Sequence, residues 1–176
     1  MGKNKETFIP KWYEDVPPEG SYRSILKWGG PQEFKHPNAK LYGLMKKVFD
    51  MTDEDFKHPQ KMGLEKVDYD IKPKLTKEQI NVFKNIVGEE NVKEDNYSRL
   101  QVAYGKTMID LMRLREGIVE NVPDIVLHPR SKEDIVKIVE YCNQEKIPIY
   151  VYGGGSSVTR GEECVKGGAP SINIDW

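Results

Sequence analysis

The sequence predicts an α/β fold, and three observations in its last third support this prediction. A short apolar run at 124–127 is bounded by Pro123 and Pro129, as is typical of a buried strand. A helical pattern follows over 131–146, and a second strand-like run at 147–152 ends at three consecutive glycines. Strands joined by a crossover helix lie parallel, with a right-handed connection. We therefore expect a small parallel strand–helix–strand sheet.

The helix of this unit has both a start signal and an apolar stripe. Ser131 is a suitable N-cap, and Glu133 and Asp134 place acids in the first turn, where the helix dipole favours them. The residues predicted to form the buried stripe are Ile135, Ile138, Val139 and Cys142. A third strand is predicted at 171–176, at the end of the sequence.

Upstream of the sheet the sequence predicts further helices. Thr76 and Gln79 form a capping box, and Gly88 supplies a stop after about three turns. Between them Ile80, Phe83 and Val87 share one helical face. Apolar residues at helical spacing also favour helices at 39–49 and, less clearly, before Gly117.

The chain is predicted to divide into three parts. Residues 1–65 form a mostly irregular and helical N-terminal arm, because prolines and glycines interrupt most of its apolar patterns. Residues 66–117 form a helical segment, and residues 118–176 contain the sheet. We expect the arm to wrap a larger body through aromatic contacts. Its aromatic residues include Phe8, Trp12, Tyr13, Tyr22, Trp28 and Phe34.

Composition excludes several classes of function. The formal net charge of −1 over 176 residues removes the electrostatic basis for nucleic-acid binding. No apolar run approaches the roughly 20 residues that span a bilayer, and the N-terminus lacks a signal-peptide core. Cys142 and Cys164 are too few and too distant for a zinc or redox motif, and the three histidines show no metal-ligand spacing. We expect a cytoplasmic protein without a metal.

The glycine run and the residues after it form the candidate binding loop. Gly153, Gly154 and Gly155 are followed by two hydroxyl residues, Ser156 and Ser157. Backbone N–H groups of such a loop can form a concavity for anions, and ligands bind beyond the carboxyl ends of parallel strands. The pattern therefore indicates a phosphate or pyrophosphate cradle, although glycine clusters also occur in ordinary turns.

Common motifs do not account for this loop. A P-loop ending at Gly105-Lys106-Thr107 would need glycine where Leu100 stands, and the dinucleotide fingerprint would need glycine at Val158. The charged cluster around Arg113 is better explained as an exposed salt-bridged helix face than as an anion site. No nucleophile is paired with a base at motif level, so the catalytic residues are unknown.

A resemblance narrows these alternatives. The stretch from Leu114 to Val139, which contains Pro-Asp-Ile-Val-x-x-Pro, is followed by Tyr-Gly-Gly-Gly-Ser-Ser-x-x-x-Gly from Tyr152. Together they resemble the start of the PCMH-type FAD-binding domain of the vanillyl-alcohol-oxidase family of FAD-linked oxidases. The likeness is strongest to the branch that contains alkyldihydroxyacetonephosphate synthase, glycolate oxidase and D-lactate dehydrogenase. It implies that the chain holds the N-terminal half of such a domain.

The resemblance also implies a cofactor and its contacts. In this family the glycine loop wraps the pyrophosphate of FAD. The implied cofactor-binding residues are Val151, Tyr152, Gly153, Gly154, Gly155, Ser156, Ser157 and Gly161. Members with covalently attached flavin have histidine where Ser156 stands, so non-covalent FAD is implied. Asp175 resembles the start of the next FAD-contacting segment, whereas Trp176 departs from it.

The second half of the FAD domain and the substrate-binding cap of the family are not in this sequence. We therefore expect an N-terminal fragment, or a chain that another polypeptide completes. The implied function is the FAD-binding portion of an oxidoreductase of the 2-hydroxy-acid dehydrogenase or alkyldihydroxyacetonephosphate synthase type. The alternative is a non-catalytic nucleotide- or phosphate-binding module or subunit.

Overall fold

The computed structural model describes residues 16–25, 37–57, 61, 63–164 and 170–173, which form six α-helices and one four-stranded sheet. The helices are α1 Tyr22–Ile25, α2 Ala39–Phe49, α3 Lys77–Val87, α4 Asn96–Gln101, α5 Met108–Arg115 and α6 Lys132–Glu145. The strands are β1 Val92–Lys93, β2 Val126–Leu127, β3 Tyr150–Tyr152 and β4 Ser171–Asn173. The α/β class predicted from the sequence is confirmed.

The sheet is mixed and has the strand order β1-β2-β4-β3. β2 and β3 both pair in parallel with β4, at Val126–Ser171 and Tyr150–Ser171 respectively. The three predicted strands are therefore present and parallel, but the last strand lies between the other two. β1 adds an antiparallel edge, with Val92 opposite Leu127, that the sequence pattern did not predict.

The helix caps follow the sequence signals closely. The Thr76 side chain accepts from the Gln79 backbone N–H while the Gln79 side chain accepts from the Thr76 N–H, and Gly88 is the C-cap. The Ser131 side chain caps α6 by accepting from the backbone N–H of Asp134. These contacts confirm the predicted starts of both helices, because capping satisfies N–H groups that no helical carbonyl reaches.

The predicted buried stripe of α6 is partly wrong. Ile138 and Cys142 are buried, as expected, but Val139 is 48% exposed. Along a helix, residues four apart share a face more closely than adjacent residues do, and the contacts of α6 follow the 138–142 row. That row packs on α3, where Phe83 and Tyr141 make an edge-on aromatic contact at 5.3 Å between ring centres.

Two apolar clusters form the interior. One lies between α3, α6 and the sheet and includes Phe83, Ile125 and Leu127. The other joins α1 to the α4–α5 region, with Tyr22 packed among residues that include Leu100 and Tyr104. Tyr22 is thus an aromatic anchor of the N-terminal arm, as the sequence suggested. The other aromatic residues predicted as anchors, and Asp175 and Trp176, lie outside the described residues.

Helix α2 confirms the helix predicted at 39–49 and has a different environment from the others. No residue of α2 is buried. Its apolar residues Leu44 and Val48 are 54% and 59% exposed. No helix in the described part of the chain is long and apolar enough to cross a membrane. The division at residues 65 and 117 stays a prediction.

The entry to β2 is fixed by two buried charged side chains. The Asp124 carboxylate accepts the backbone N–H groups of Lys74 and Leu75 at 2.7 and 2.8 Å. The Arg99 guanidinium donates to the carbonyl oxygens of Pro123 at 2.8 Å and Ile71 at 3.0 Å. Both charged side chains are 2% exposed, so these bonds replace water and tie residues 71–75 to the start of the strand.

We predict that Asp124→Ala lowers the free energy of unfolding by about 2–4 kcal/mol, because it removes a buried carboxylate that accepts two partly buried backbone N–H groups. Urea-induced unfolding followed by circular dichroism measures this change. The matched control is Asp68→Ala, at an exposed aspartate, where we expect a change within about 0.5 kcal/mol. Equal stability of the two variants would contradict the role given to Asp124.

Candidate functional site: the glycine loop after strand β3

The glycine loop, defined as residues 153–157, begins where β3 ends. β3 presents its side chains alternately, so that Val151 is 63% exposed while Tyr152 is 8% exposed. Residues 153–161 that follow contain no helix or strand. The backbone of the loop itself, rather than a helix N-terminus, therefore forms any binding surface here.

The three glycines differ in what they make possible. Gly153 and Gly154 are exposed, and a Cβ at either position would meet no atom within 4 Å. Gly155 is buried and has a φ of +60°, in the left-handed region that favours glycine. A Cβ at Gly155 would collide with the Tyr152 hydroxyl. Gly155 is thus required by the fold, whereas Gly153 and Gly154 leave open space for a ligand.

The loop offers hydrogen-bond donors to that space. Within the described part of the chain, no hydrogen bond engages the backbone N–H groups of Gly154, Gly155 and Ser156. Ser156 is exposed, and the Ser157 hydroxyl has Thr159 as a neighbour at 3.4 Å. Successive free N–H groups next to hydroxyls suit the oxygens of a phosphate or pyrophosphate. The residues present therefore fit the pyrophosphate of a dinucleotide.

The glycine loop contacts Gly105 and Lys106, a segment whose role the sequence pattern did not explain. The Lys106 backbone N–H donates to the Ser157 carbonyl oxygen at 2.7 Å. A Cβ at the neighbouring Gly105 would collide with that same oxygen and would lie 2.9 Å from Oε2 of Glu162. Gly105 is therefore a close-approach glycine. In sequence it was recognisable solely as part of an incomplete P-loop pattern, since its partner lies some fifty residues away.

The charges around the loop are shaped by burial. Burial lowers the pKa of Lys106, whose Nζ donates to the Ile25 carbonyl oxygen at 3.1 Å. Burial raises the pKa of Glu162 and, with the charge of Glu162, raises the pKa of Tyr152 to about 12. Tyr152 is therefore a neutral phenol at physiological pH and does not repel an anion.

The residues after the loop are bound to α5 through ion pairs. The Glu163 carboxylate accepts from Arg113 at 3.1 Å and from the Asn121 side chain at 3.2 Å, and it also pairs with Arg160. Arg113 pairs with Glu120 as well.

The expected exposed salt-bridged face around Arg113, Arg115 and Glu116 is thus confirmed in part: Arg115 and Glu116 are exposed and Glu116 pairs with Lys61. Arg113 departs from it, because its side chain is 20% exposed and pairs with Glu163 after the loop.

The structure gathers most of the predicted site residues into one loop. Gly153 to Ser157 are contiguous there, and Tyr152 lies directly beneath Gly155. Val151 precedes them on the exposed edge strand, and Gly161 lies beyond, at an exposed turn near Thr159. Their roles in binding stay predictions.

Comparison with known proteins shows what this region is similar to. Residues 123–175 match the family model described as FAD binding domain. Alkyldihydroxyacetonephosphate synthase of Dictyostelium discoideum is 27% identical over 82% of this chain and 24% of its own length. The mitochondrial D-lactate dehydrogenase [cytochrome] of Arabidopsis thaliana is 46% identical over 27% of this chain and 8% of its own length.

A solved structure agrees with these sequence matches. An alkyldihydroxyacetonephosphate synthase structure superposes with a TM-score of 0.56 at 29% identity, over 61% of this chain and 20% of that one. The resemblance inferred from the sequence is therefore confirmed: residues 123–175 match an FAD-binding domain, and the chain is similar to alkyldihydroxyacetonephosphate synthase and D-lactate dehydrogenase. The chain spans about a quarter or less of the length of these relatives.

Replacement by alanine should lower the unfolding free energy much more at Gly155 than at Gly154. Gly155→Ala combines a left-handed backbone with the Tyr152 collision and should lower the unfolding free energy by about 2 kcal/mol or more. Gly154→Ala enters open space and should change it by less than about 0.5 kcal/mol. Thermal unfolding of both variants tests this, and a Gly155→Ala protein as stable as the Gly154→Ala protein would refute the distinction.

Proposed function

We propose that this chain, whose residues 123–175 match an FAD-binding domain, holds the pyrophosphate of FAD on the glycine loop. The observation that supports this most directly is the row of N–H groups of Gly154, Gly155 and Ser156, which have no acceptor among the described residues. They lie beside open space, because a Cβ added at Gly153 or Gly154 would meet no atom within 4 Å. A pyrophosphate supplies several acceptor oxygens within the span of three residues.

The proposed site neutralises the pyrophosphate with backbone dipoles more than with side-chain charge. The Lys106 ammonium is turned toward the Ile25 carbonyl, and Arg160 is engaged by Glu163. Peptide N–H groups around a shielded anion act as fixed partial positive charges, and they need no reorganisation when the ligand arrives.

The other predicted contacts have supporting roles in this proposal. The Tyr152 side chain lies against Gly155, and Val151 precedes Tyr152 in the edge strand β3. The Ser156 and Ser157 hydroxyls add donors, and Gly161 is proposed to lie at the edge of the same site. Ser156 stands where covalently flavinylated members of the family have histidine, so the FAD is proposed to be bound non-covalently.

We further propose that the chain serves a flavin-dependent oxidoreductase of the 2-hydroxy-acid dehydrogenase or alkyldihydroxyacetonephosphate synthase type. The matched relatives are named as a synthase and a dehydrogenase, and they do not support the alternative of a non-catalytic phosphate-binding module. A bound flavin supplies the electron transfer in such reactions. The rest of the FAD-binding domain is proposed to come from further polypeptide. The protein is proposed to work in a reducing compartment such as the cytoplasm.

We predict that Gly154→Leu weakens FAD binding by a factor of about 30 or more. The leucine side chain would occupy the space in which the pyrophosphate accepts several charge-assisted hydrogen bonds from the loop. Titration of FAD with the protein, followed by quenching of flavin fluorescence, measures the dissociation constant. The change should leave the unfolding midpoint within about 2 °C, since no neighbour lies within 4 Å of the new Cβ.

A matched control is Gly43→Leu, at a glycine on α2 that also has no atom within 4 Å of an added Cβ. It should bind FAD as the unaltered chain does. Unchanged FAD affinity in Gly154→Leu would remove the glycine loop from the proposed site.

A further inference from the structure

The N–H groups of the glycine loop owe their orientation to what holds the two ends of the loop. No hydrogen bond among the described residues engages these groups at 154–156. One end is fixed by β3 and by Tyr152 beneath Gly155. The other end is fixed by the Lys106–Ser157 bond and by the turn at 160–163. A change in either anchor therefore changes where the donors point.

The turn at 160–163 has an unfavourable backbone that side-chain contacts maintain. Arg160 has a φ of 63°, in the left-handed region that residues with a Cβ rarely adopt. Its guanidinium pairs with Glu163, and its Nε lies 3.8 Å from Oδ1 of the buried Asp110. The ion pairs of Arg160 therefore hold a conformation that its backbone alone would leave.

Glu163 is the residue that joins this turn to the body of the protein. Its carboxylate contacts Arg160 in the turn, Arg113 on α5 and Asn121 in the segment before β2. Burial alone would raise the pKa of Glu163, but hydrogen bonds from these three side chains outweigh it and hold the pKa below its usual range. The carboxylate is therefore ionised wherever the protein is folded near neutral pH.

The neighbouring Glu120 shows that this role is specific to Glu163. Glu120 also pairs with Arg113, but it is 53% exposed and, among the described residues, forms no ion pair with the turn. Arg113 would therefore keep a carboxylate partner without Glu163, whereas Arg160 would lose its partner within the turn. Removal of either glutamate deletes one negative charge, so the pair separates the loss of charge from the loss of the connection.

We propose that Glu163 is a positioning residue which, acting through Arg160, fixes the N–H donors of the glycine loop in their anion-binding arrangement. This inference rests on the proposed binding of FAD at that loop. Neither the family match nor the sequence motifs assign a role to Glu163 or Arg160. The role belongs to the acidic and basic residues that follow the glycines in this particular chain.

The test compares E163Q, R160Q, their double variant and the control E120Q. We expect E163Q and R160Q each to weaken FAD binding about fivefold or more. The dissociation constant of the double variant should lie within about twofold of that of the single variant with the larger loss, because the two residues act as one unit. E120Q should stay within about twofold of the unaltered chain. Full additivity in the double variant, or equal losses in E163Q and E120Q, would overturn the proposal.

Hydrogen exchange without FAD provides a readout that does not depend on cofactor binding. In E163Q, exchange of the Lys106 amide, which donates to the Ser157 carbonyl oxygen, should accelerate about fivefold or more, while exchange in α6 stays unchanged. Unchanged exchange at Lys106, or equal acceleration in α6, would overturn the positioning role. If the unaltered chain binds no FAD, the proposed function fails, and the exchange measurement still decides whether Glu163 positions the loop.

Discussion

The buried junction of Asp124 and Arg99 is the constraint on which the position of the binding loop depends. These two side chains fix the residues that enter β2, through bonds to the 71–75 segment and to Pro123. β2 pairs with β1 on one side and with β4 on the other, and β4 in turn carries β3. Because the glycine loop starts where β3 ends, its place in the molecule follows from that junction through two strand pairings, β2 with β4 and β4 with β3.

The glycine loop combines a backbone held by close contacts with N–H donors that no described residue engages. Gly105 and Gly155 permit close approach of backbone and of the Tyr152 ring, and substitution at either position meets protein atoms. Gly153 and Gly154, by contrast, meet nothing within 4 Å. The division separates glycines needed for folding from glycines that leave room for a ligand. It also explains why a short segment can be exposed and still keep a defined shape.

Local signals in the sequence predicted the parts of the fold that depend on neighbouring residues. The capping box at Thr76, the N-cap at Ser131 and the end of α3 at Gly88 are contacts within four residues or a single backbone geometry. The place of β4 between β2 and β3 depends on pairing between segments far apart in the chain. No local pattern specifies that order, and β1 is too short to show an alternation.

The candidate site divides in the same way. Its glycines and serines were found from the sequence because they are contiguous and follow a strand. Gly105 and Glu163 were missed because their partners are distant along the chain, and nothing in the local sequence marks them. Val139 shows a related limit. Helical spacing predicts which residues share a face, but it does not predict which residues of that face the neighbouring helix covers.

An FAD titration followed by backbone amide chemical shifts tests directly whether the glycine loop holds the pyrophosphate. If it does, the largest shifts occur at the amides of Gly154, Gly155 and Ser156, and ADP, which shares the pyrophosphate, shifts the same amides. Exposed amides of α2 should not respond. Binding of FAD with its largest shifts outside residues 152–161, or no response of the loop at saturating FAD, would contradict the central claim that this loop is the pyrophosphate site.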